Sequence, residues 1–203
     1  MSDTYVLTGV TGGMGSGKSS TARFLCRRFP VTCFNADAVV HELLQPGKEC
    51  WQVIAGIDRA FVRQDQTIDK RLLRQALFAD ELLRQQINGK IHPIVRNKLL
   101  EKIQHKARGN GRKFFLIEVP LLYEANWQDM FAQIIVVYAT WEKCVARIMM
   151  RDHVSSAEAE SSIATQWPLM KKALRAGHVV DNSGSWVETS LQLLHLGNIL
   201  WEK

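Results

Sequence analysis

No CxxC pair occurs among Cys26, Cys33, Cys50 and Cys144, and the six histidines form no HExxH, so no zinc-ligand spacing and no disulfide framework is indicated. Free thiols are expected at all four positions, and free thiols suit the cytosol. No apolar run is long enough to cross a bilayer, and the N-terminus shows no basic segment followed by a long apolar stretch. A soluble, intracellular protein without membrane attachment is the expectation. Blocks of like charge are missing too. Lysine and arginine exceed aspartate and glutamate by 26 to 20, a formal charge of +6, yet nothing resembles a basic arm, and a polyanionic phosphate ligand explains the excess as well as nucleic acid does. There is no internal repeat, low-complexity tract or flexible linker. A chain of 203 residues, 46% hydrophobic, can fill one sizeable core carrying insertions.

What is present begins with GGMGSGKS at Gly12 to Ser19, which fits the phosphate-loop pattern GxxxxGK[ST]. It lies between an apolar run at Tyr5, Val6 and Leu7 and a helix-like stretch, the context this motif requires. Dense phosphate charge has to be met by donors on a curved backbone. Gly12, Gly13, Gly15 and Gly17 can take positive φ and leave no Cβ between the amides and the phosphate oxygens, and the helix that follows adds its positive end. Lys18 is placed to reach the β- and γ-phosphates, and the Ser19 hydroxyl to take one position on Mg²⁺. With Gly13, Gly15, Ser16, Gly17 and Ser20 they make up the candidate nucleotide-binding set, for MgATP or MgGTP.

Strand-like runs at Thr4 to Val10, Val31 to Asn35, Lys113 to Val119, Gln133 to Ala139 and His178 to Asp181 alternate with helical segments. That alternation predicts an α/β fold with a parallel sheet, helices on both faces and ligands at the carboxyl ends of the strands. Between Asp37 and Arg112 no convincing strand appears, while Leu82, Leu83, Ile87, Ile91, Ile94, Val95, Leu99 and Ile103 recur at helical spacing. This reads as a helical insertion that kinks or restarts near His92, because Pro93 lacks a backbone donor. A second helical insertion runs from Trp141 to Gly177. A last helix over roughly Trp186 to Trp201 shows Leu191, Leu194 and Ile199 as the stripe expected to face the sheet.

Phosphoryl transfer needs positioning, charge neutralisation and a group that orients or deprotonates the nucleophile. Asp37 directly follows the second strand and is a candidate for that group, or else it caps a helix beginning at Ala38. Glu118 ends the third strand, where it either holds magnesium through water or simply ends a strand. Arg147 and Arg151 lie four apart on one helix face, where like charges repel unless a polyanion sits between them. They are either a phosphoryl clamp on a mobile lid or a solvated face with Asp152 as partial counterion.

Taken together, LTGVTGGMGSGKSS near the start, NAD at Asn35 to Asp37, IDKRLLRQALF at Ile68 to Phe78, IHP at Ile91 to Pro93, EVPLLYE at Glu118 to Glu124, Arg147, Arg151, Gln166, Lys172 and DNSGS at Asp181 to Ser185 resemble the dephospho-coenzyme A kinase family over nearly the whole chain. The resemblance implies a three-layer P-loop kinase fold with five parallel strands. Its core would comprise 1–38, 109–140 and 178–203, with a helical acceptor-binding region at 39–108 and a lid at 141–177. It implies transfer of the ATP γ-phosphate to the ribose 3′-hydroxyl of dephospho-coenzyme A, with Mg²⁺. Asp37 would be the base, Lys18, Arg147 and Arg151 the charge stabilisers, Asn182 a neighbour of adenine, and Ser19 with Glu118 the metal side. His92, Pro93, Leu121 and Leu122 would shape the acceptor site. A monomer or weak homo-oligomer with no nucleic-acid partner is expected. Asn35, His41, Lys70 and Gly177 depart from the family pattern, which usually has aspartate, arginine, arginine and aspartate there; an active but slow enzyme is expected. Other readings are another small-metabolite or nucleoside monophosphate kinase, a nucleotide-binding regulator without catalysis, and a basic nucleic-acid binder.

Overall fold

The computed structural model describes residues 5–108 and 113–201. Thr4, the expected start of the first strand, lies outside them, as do 109–112. Five strands, β1 (Tyr5–Gly12), β2 (Val31–Asn35), β3 (Lys113–Glu118), β4 (Gln133–Tyr138) and β5 (His178–Asp181), form one sheet in the order β2-β3-β1-β4-β5. Every pairing is parallel. Parallel strands need crossovers, and both faces of such a sheet are covered, which is why β1, β3 and β4 read as apolar runs and not as alternations.

Helix α1 (Lys18–Arg28) and the last helix, α9 (Trp186–Trp201), cover one face. There Ala22, Leu25, Phe29, Leu193, Leu196 and Trp201 pack with Val10, Leu116, Ile135, Val137 and Val180. The bounds of α9 match the sequence reading, and Leu194 packs partly buried against the core as expected, but the other two members of the stripe do not. Leu191 is 61% exposed and Ile199 49% exposed, whereas Leu193, Leu196 and Gly197 are buried. A helix this rich in leucine has two apolar faces, and close approach selects between them. A Cβ on Gly197 would collide with the Phe29 ring, so the face with the smallest residue is the one that docks.

Residues Ala36–Lys106 form a second compact unit, built from α2 (Ala36–Leu43), α3 (Glu49–Ile57), α4 (Lys70–Ala79) and α5 (Glu81–Ala107), the last of which ends one residue beyond it. A single antiparallel bridge, Val62 with Ile68, is its only strand-like pairing among the described residues. Helix α5 runs unbroken through Pro93, so the expected restart near His92 does not occur. The ring of a helical proline crowds the carbonyl four residues back. That residue is Gly89, with open space around it, while Ile87, Ile91, Val95, Leu99 and Ile103 are all buried and hold the turns on either side.

The expectation of four free thiols needs correction. Cys26 on α1 and Cys33 on β2 are joined by a disulfide, with Cα atoms 6.2 Å apart, inside the range a bridge requires. Their separation of seven residues carries no motif; the packing of a helix beside the strand that follows it brings the sulfurs together. Cys50 and Cys144 are free and buried, and burial pushes the Cys50 thiol up to about 11.

Candidate active site

The phosphate loop leaves β1 and enters α1 at Gly17, whose φ of 95° and ψ of 19° are left-handed. A side chain there would meet the Asn182 amide, and one on Gly15, with φ +73°, would come within 2.5 Å of the Cys144 carbonyl oxygen. Both positions therefore need glycine for conformation and for space. Gly13, expected to share that freedom, is not among the positive-φ glycines.

Side chains from distant segments hold the loop's peptide groups. The Asn182 amide donates to the Ser16 carbonyl at 2.7 Å and accepts from the Thr189 hydroxyl at 3.0 Å. It is buried, so it acts as a strut beneath the loop, a role the expected adenine contact did not foresee. Arg147, on α6 (Trp141–Asp152), donates to the Gly15 carbonyl at 3.3 Å and the Asn182 carbonyl at 2.8 Å. Arg151, one turn on, instead grips Asp152 with two bonds of 2.7 Å. The two arginines share a helix but not a partner, and the counterion reading describes Arg151. Lys18 is buried and its ammonium donates to the Gly13 carbonyl at 2.8 Å, curled back across the loop.

At the carboxyl ends of the strands, register brings three polar side chains together. Asn35 pairs with Glu118 across β2 and β3, and the Asn35 amide donates to Glu118 Oε2 at 2.9 Å. The Ser19 hydroxyl donates to Oε1 of the same carboxylate at 2.6 Å. Glu118 is buried, so this is more than a strand end. Hydroxyl and carboxylate oxygens are hard donors suited to Mg²⁺. Among the described residues no group of three or more His, Cys, Asp or Glu could hold a metal. The residues thus fit an ion that arrives with a nucleotide and keeps water and phosphate ligands, not one held in a protein cage.

Asp37 sits exposed in the first turn of α2, which begins at Ala36. It is therefore not the cap of a helix starting at Ala38. In the same helical unit, His92 is half-buried, and burial pushes its imidazole below the usual histidine value. The substituted positions His41 and Lys70 touch: the Lys70 ammonium lies 2.9 Å from His41 Nδ1. An ammonium has donors only, so in this contact the imidazole nitrogen is the acceptor. Leu121 is 36% exposed, whereas Leu122 is fully buried and packs where a Cβ on Gly9 would stand; it is a core residue and not lining.

Beyond β4 lie α7 (Ser156–Ala164) and α8 (Leu169–Ala173). A cavity of about 460 Å³ opens between the loop and these helices, lined by Gly13, Met14, Trp141, Cys144, Trp167 and Leu169 among others. Burial raises the Cys144 thiol, which argues against a nucleophilic role beside the loop. The polar ties of the 166–172 segment were not anticipated from sequence. Gln166 Oε1 accepts from the Met14 amide at 3.0 Å. Lys172, with no exposed surface, donates to Glu124 at 2.7 Å and to the Pro120 carbonyl at 3.1 Å. Their available signal was chemical, since a lysine inside an apolar helical turn has to find a carboxylate.

The family model for dephospho-CoA kinase matches residues 6–188. A dephospho-CoA kinase from Oceanobacillus iheyensis is 35% identical over 190 residues, covering 93% of this chain and 94% of the relative. One from Streptococcus pneumoniae is 34% identical over 200 residues, covering 97% and 94%. Among solved structures, a Thermus thermophilus protein superposes with a TM-score of 0.82 at 26% identity, covering 97% of this chain and 98% of that one. A shikimate kinase from Bacteroides thetaiotaomicron, at TM-score 0.55 and 13% identity over 96% of this chain and 98% of its own, shares the fold alone.

Proposed function

The chain belongs to the dephospho-CoA kinase family, ATP-dependent kinases that catalyse the last step of coenzyme A synthesis, and from that premise we propose how its residues divide the work. The ribose 3′-hydroxyl of the acceptor attacks the γ-phosphorus, the bond to the β-γ bridging oxygen breaks, and ADP leaves. Asp37 takes the hydroxyl proton. Its support is chemical and sequential: an exposed carboxylate in the first turn after β2, in the NAD segment that carries the family likeness. Lys18 leaves the Gly13 carbonyl for the β- and γ-phosphates, so one carbonyl contact is exchanged for two anionic ones. Arg147 fixes the loop and offers charge at its rim, and Arg151 joins it once Asp152 is released.

Ser19 and Glu118 would hold Mg²⁺, the hydroxyl directly and the carboxylate through water. Such an ion would supply charge neutralisation to the phosphoryl group during transfer. The single observation that carries this reading is Glu118 receiving both Ser19 and Asn35 beside the loop. His92, Pro93 and Leu121 are proposed for the acceptor side within 39–108 and the segment after β3, and 141–177 as the lid. Residence in the cytosol goes with ATP as donor; no described helix is long and apolar enough to cross a membrane.

The experiment is mass spectrometry of the product after incubation with MgATP and dephospho-coenzyme A. The expected product is coenzyme A, gained by one phosphate on the ribose. No product with nucleotide binding intact would overturn the acceptor assignment.

Asn35 bears on rate. Asn35→Asp is expected to raise turnover and lower the Mg²⁺ concentration giving half-maximal rate, because a second carboxylate beside Glu118 strengthens a hard-oxygen site. In EDTA the same change is expected to lower the unfolding midpoint, since two carboxylates would then share one contact. Titrating Mg²⁺ against initial rate checks this; an unchanged requirement counts against the metal role of this corner.

A further inference from the structure

A glycine-rich loop has high conformational freedom, so an empty phosphate cradle keeps its shape only if its peptide groups are held from outside. One flank is held by Asn182 and Arg147 at the Ser16 and Gly15 carbonyls. On the other, the Met14 amide donates to Gln166 Oε1 at 3.0 Å. Gln166 does not come from the loop's own neighbourhood; 152 residues separate the two. Its own position is set by the next residue along, whose amide donates to Glu124 Oε1 at 3.0 Å. The same oxygen receives the Lys172 ammonium at 2.7 Å. Lys172 also donates to the Pro120 carbonyl, and that carbonyl accepts from the Thr11 hydroxyl at 3.2 Å, one residue before the loop. A closed path of hydrogen bonds thus runs from the end of β1 through Pro120, Lys172, Glu124 and Trp167 to Gln166, and back into the loop at Met14.

Lys172 is fully buried, and its partner Glu124 is 16% exposed at the side chain. Buried pairs of this kind add little net stability compared with apolar replacements, so stability alone is a weak reason for this one. We propose that Gln166 is a positioning residue for phosphoryl transfer: held by Glu124 and Lys172, it fixes the front of the phosphate loop before nucleotide arrives. The Met14 amide is thereby spent on Gln166, which leaves the cradle to the amides that follow. The segment from Gln166 to Lys172 acts as a fixed post, although it lies inside the proposed lid.

The test is calorimetric binding of MgADP without acceptor, which does not depend on which acceptor the enzyme uses, together with steady-state kinetics. Gln166→Leu is expected to weaken MgADP binding about five- to tenfold, the order of one lost hydrogen bond, and to raise KM for ATP while leaving KM for the acceptor unchanged. The double variant Lys172→Met with Glu124→Met, which removes the pair without stranding a charge, is expected to weaken MgADP binding similarly. Adding Gln166→Leu to it is expected to cost nothing further, as required of residues acting in series. Wild-type MgADP affinity in Gln166→Leu, or effects that multiply, would overturn the proposal. If the double variant does not fold, Gln166→Leu decides alone, because that side chain is only half-buried and its loss leaves the core intact.

Discussion

Replacing Lys18 with methionine is expected to lower kcat/KM by about 10³-fold or more, the scale seen when a donor aimed at developing transition-state charge is removed. Methionine keeps the length of the stem and its burial against the loop, so the change isolates the ammonium. In the structure that ammonium is held 2.8 Å from the Gly13 carbonyl. The loop therefore loses one charge-assisted hydrogen bond, whose net worth is about 1.5–3 kcal/mol, while the bound γ-phosphate loses its nearest proposed cation. The two costs separate in experiment. Thermal unfolding without nucleotide is expected to move by only a few degrees, and the rate by orders of magnitude. MgATP binding measured beside both tells whether the lysine acts before or during transfer. A rate within tenfold of wild type would remove Lys18 from the charge-stabilising role.

Asp37→Asn is expected to have the second large effect, lowering kcat by about 10²- to 10⁴-fold, the usual contribution of a positioned proton acceptor. Here KM for both substrates should change little, because the amide keeps the shape and polarity of the carboxylate. An acidic residue in the first turn also favours the helix N-terminus, by about 0.3–1 kcal/mol when exposed. A purely structural Asp37 would therefore show a modest drop in unfolding midpoint with turnover preserved. The base role adds to that modest drop a collapse in turnover. The pH profile adds a third readout, since the acid limb of kcat set by the carboxylate should vanish in the variant. Retention of that limb would reassign the proton to another group.

These expectations rest on features that differed in how far the sequence reveals them. The phosphate loop, the five strands and the bounds of α9 were readable, because each depends on local spacing: glycines at fixed offsets, branched apolar runs, a helical period. What spacing cannot report is which of two adequate options tertiary packing selects. Leucines lie on two sides of α9, and the choice fell to Gly197 against Phe29. Pro93 argues for a break in α5, and the row of buried isoleucine, valine and leucine carried the helix through it. Cys26 and Cys33 match no motif because their pairing is made by packing. In the candidate site, Lys18, Ser19 and Glu118 were legible as chemistry. Asn182 is expected beside adenine, and no local spacing reveals that its amide is also engaged beneath Ser16. Gln166, Glu124 and Lys172 were visible only as shared letters, since a hydrogen bond across 152 residues leaves no trace in local pattern.

The sheet order has a consequence for how the chain is made. β1 is central, and its two neighbours, β3 and β4, begin at Lys113 and Gln133. During synthesis the first strand therefore waits, with both edges unsatisfied, until more than a hundred further residues have been added; its first pairing is Tyr5 with Lys113. The unit Ala36–Lys106 is continuous in sequence and rich in local helical contacts, which form fast, whereas parallel pairing of distant strands is slow. Vectorial synthesis thus favours a nascent chain in which the helical unit is complete while the nucleotide-binding sheet is still two unpaired strands, β1 and β2. The loop at the end of β1 becomes a phosphate site only after β3 and β4 close around it.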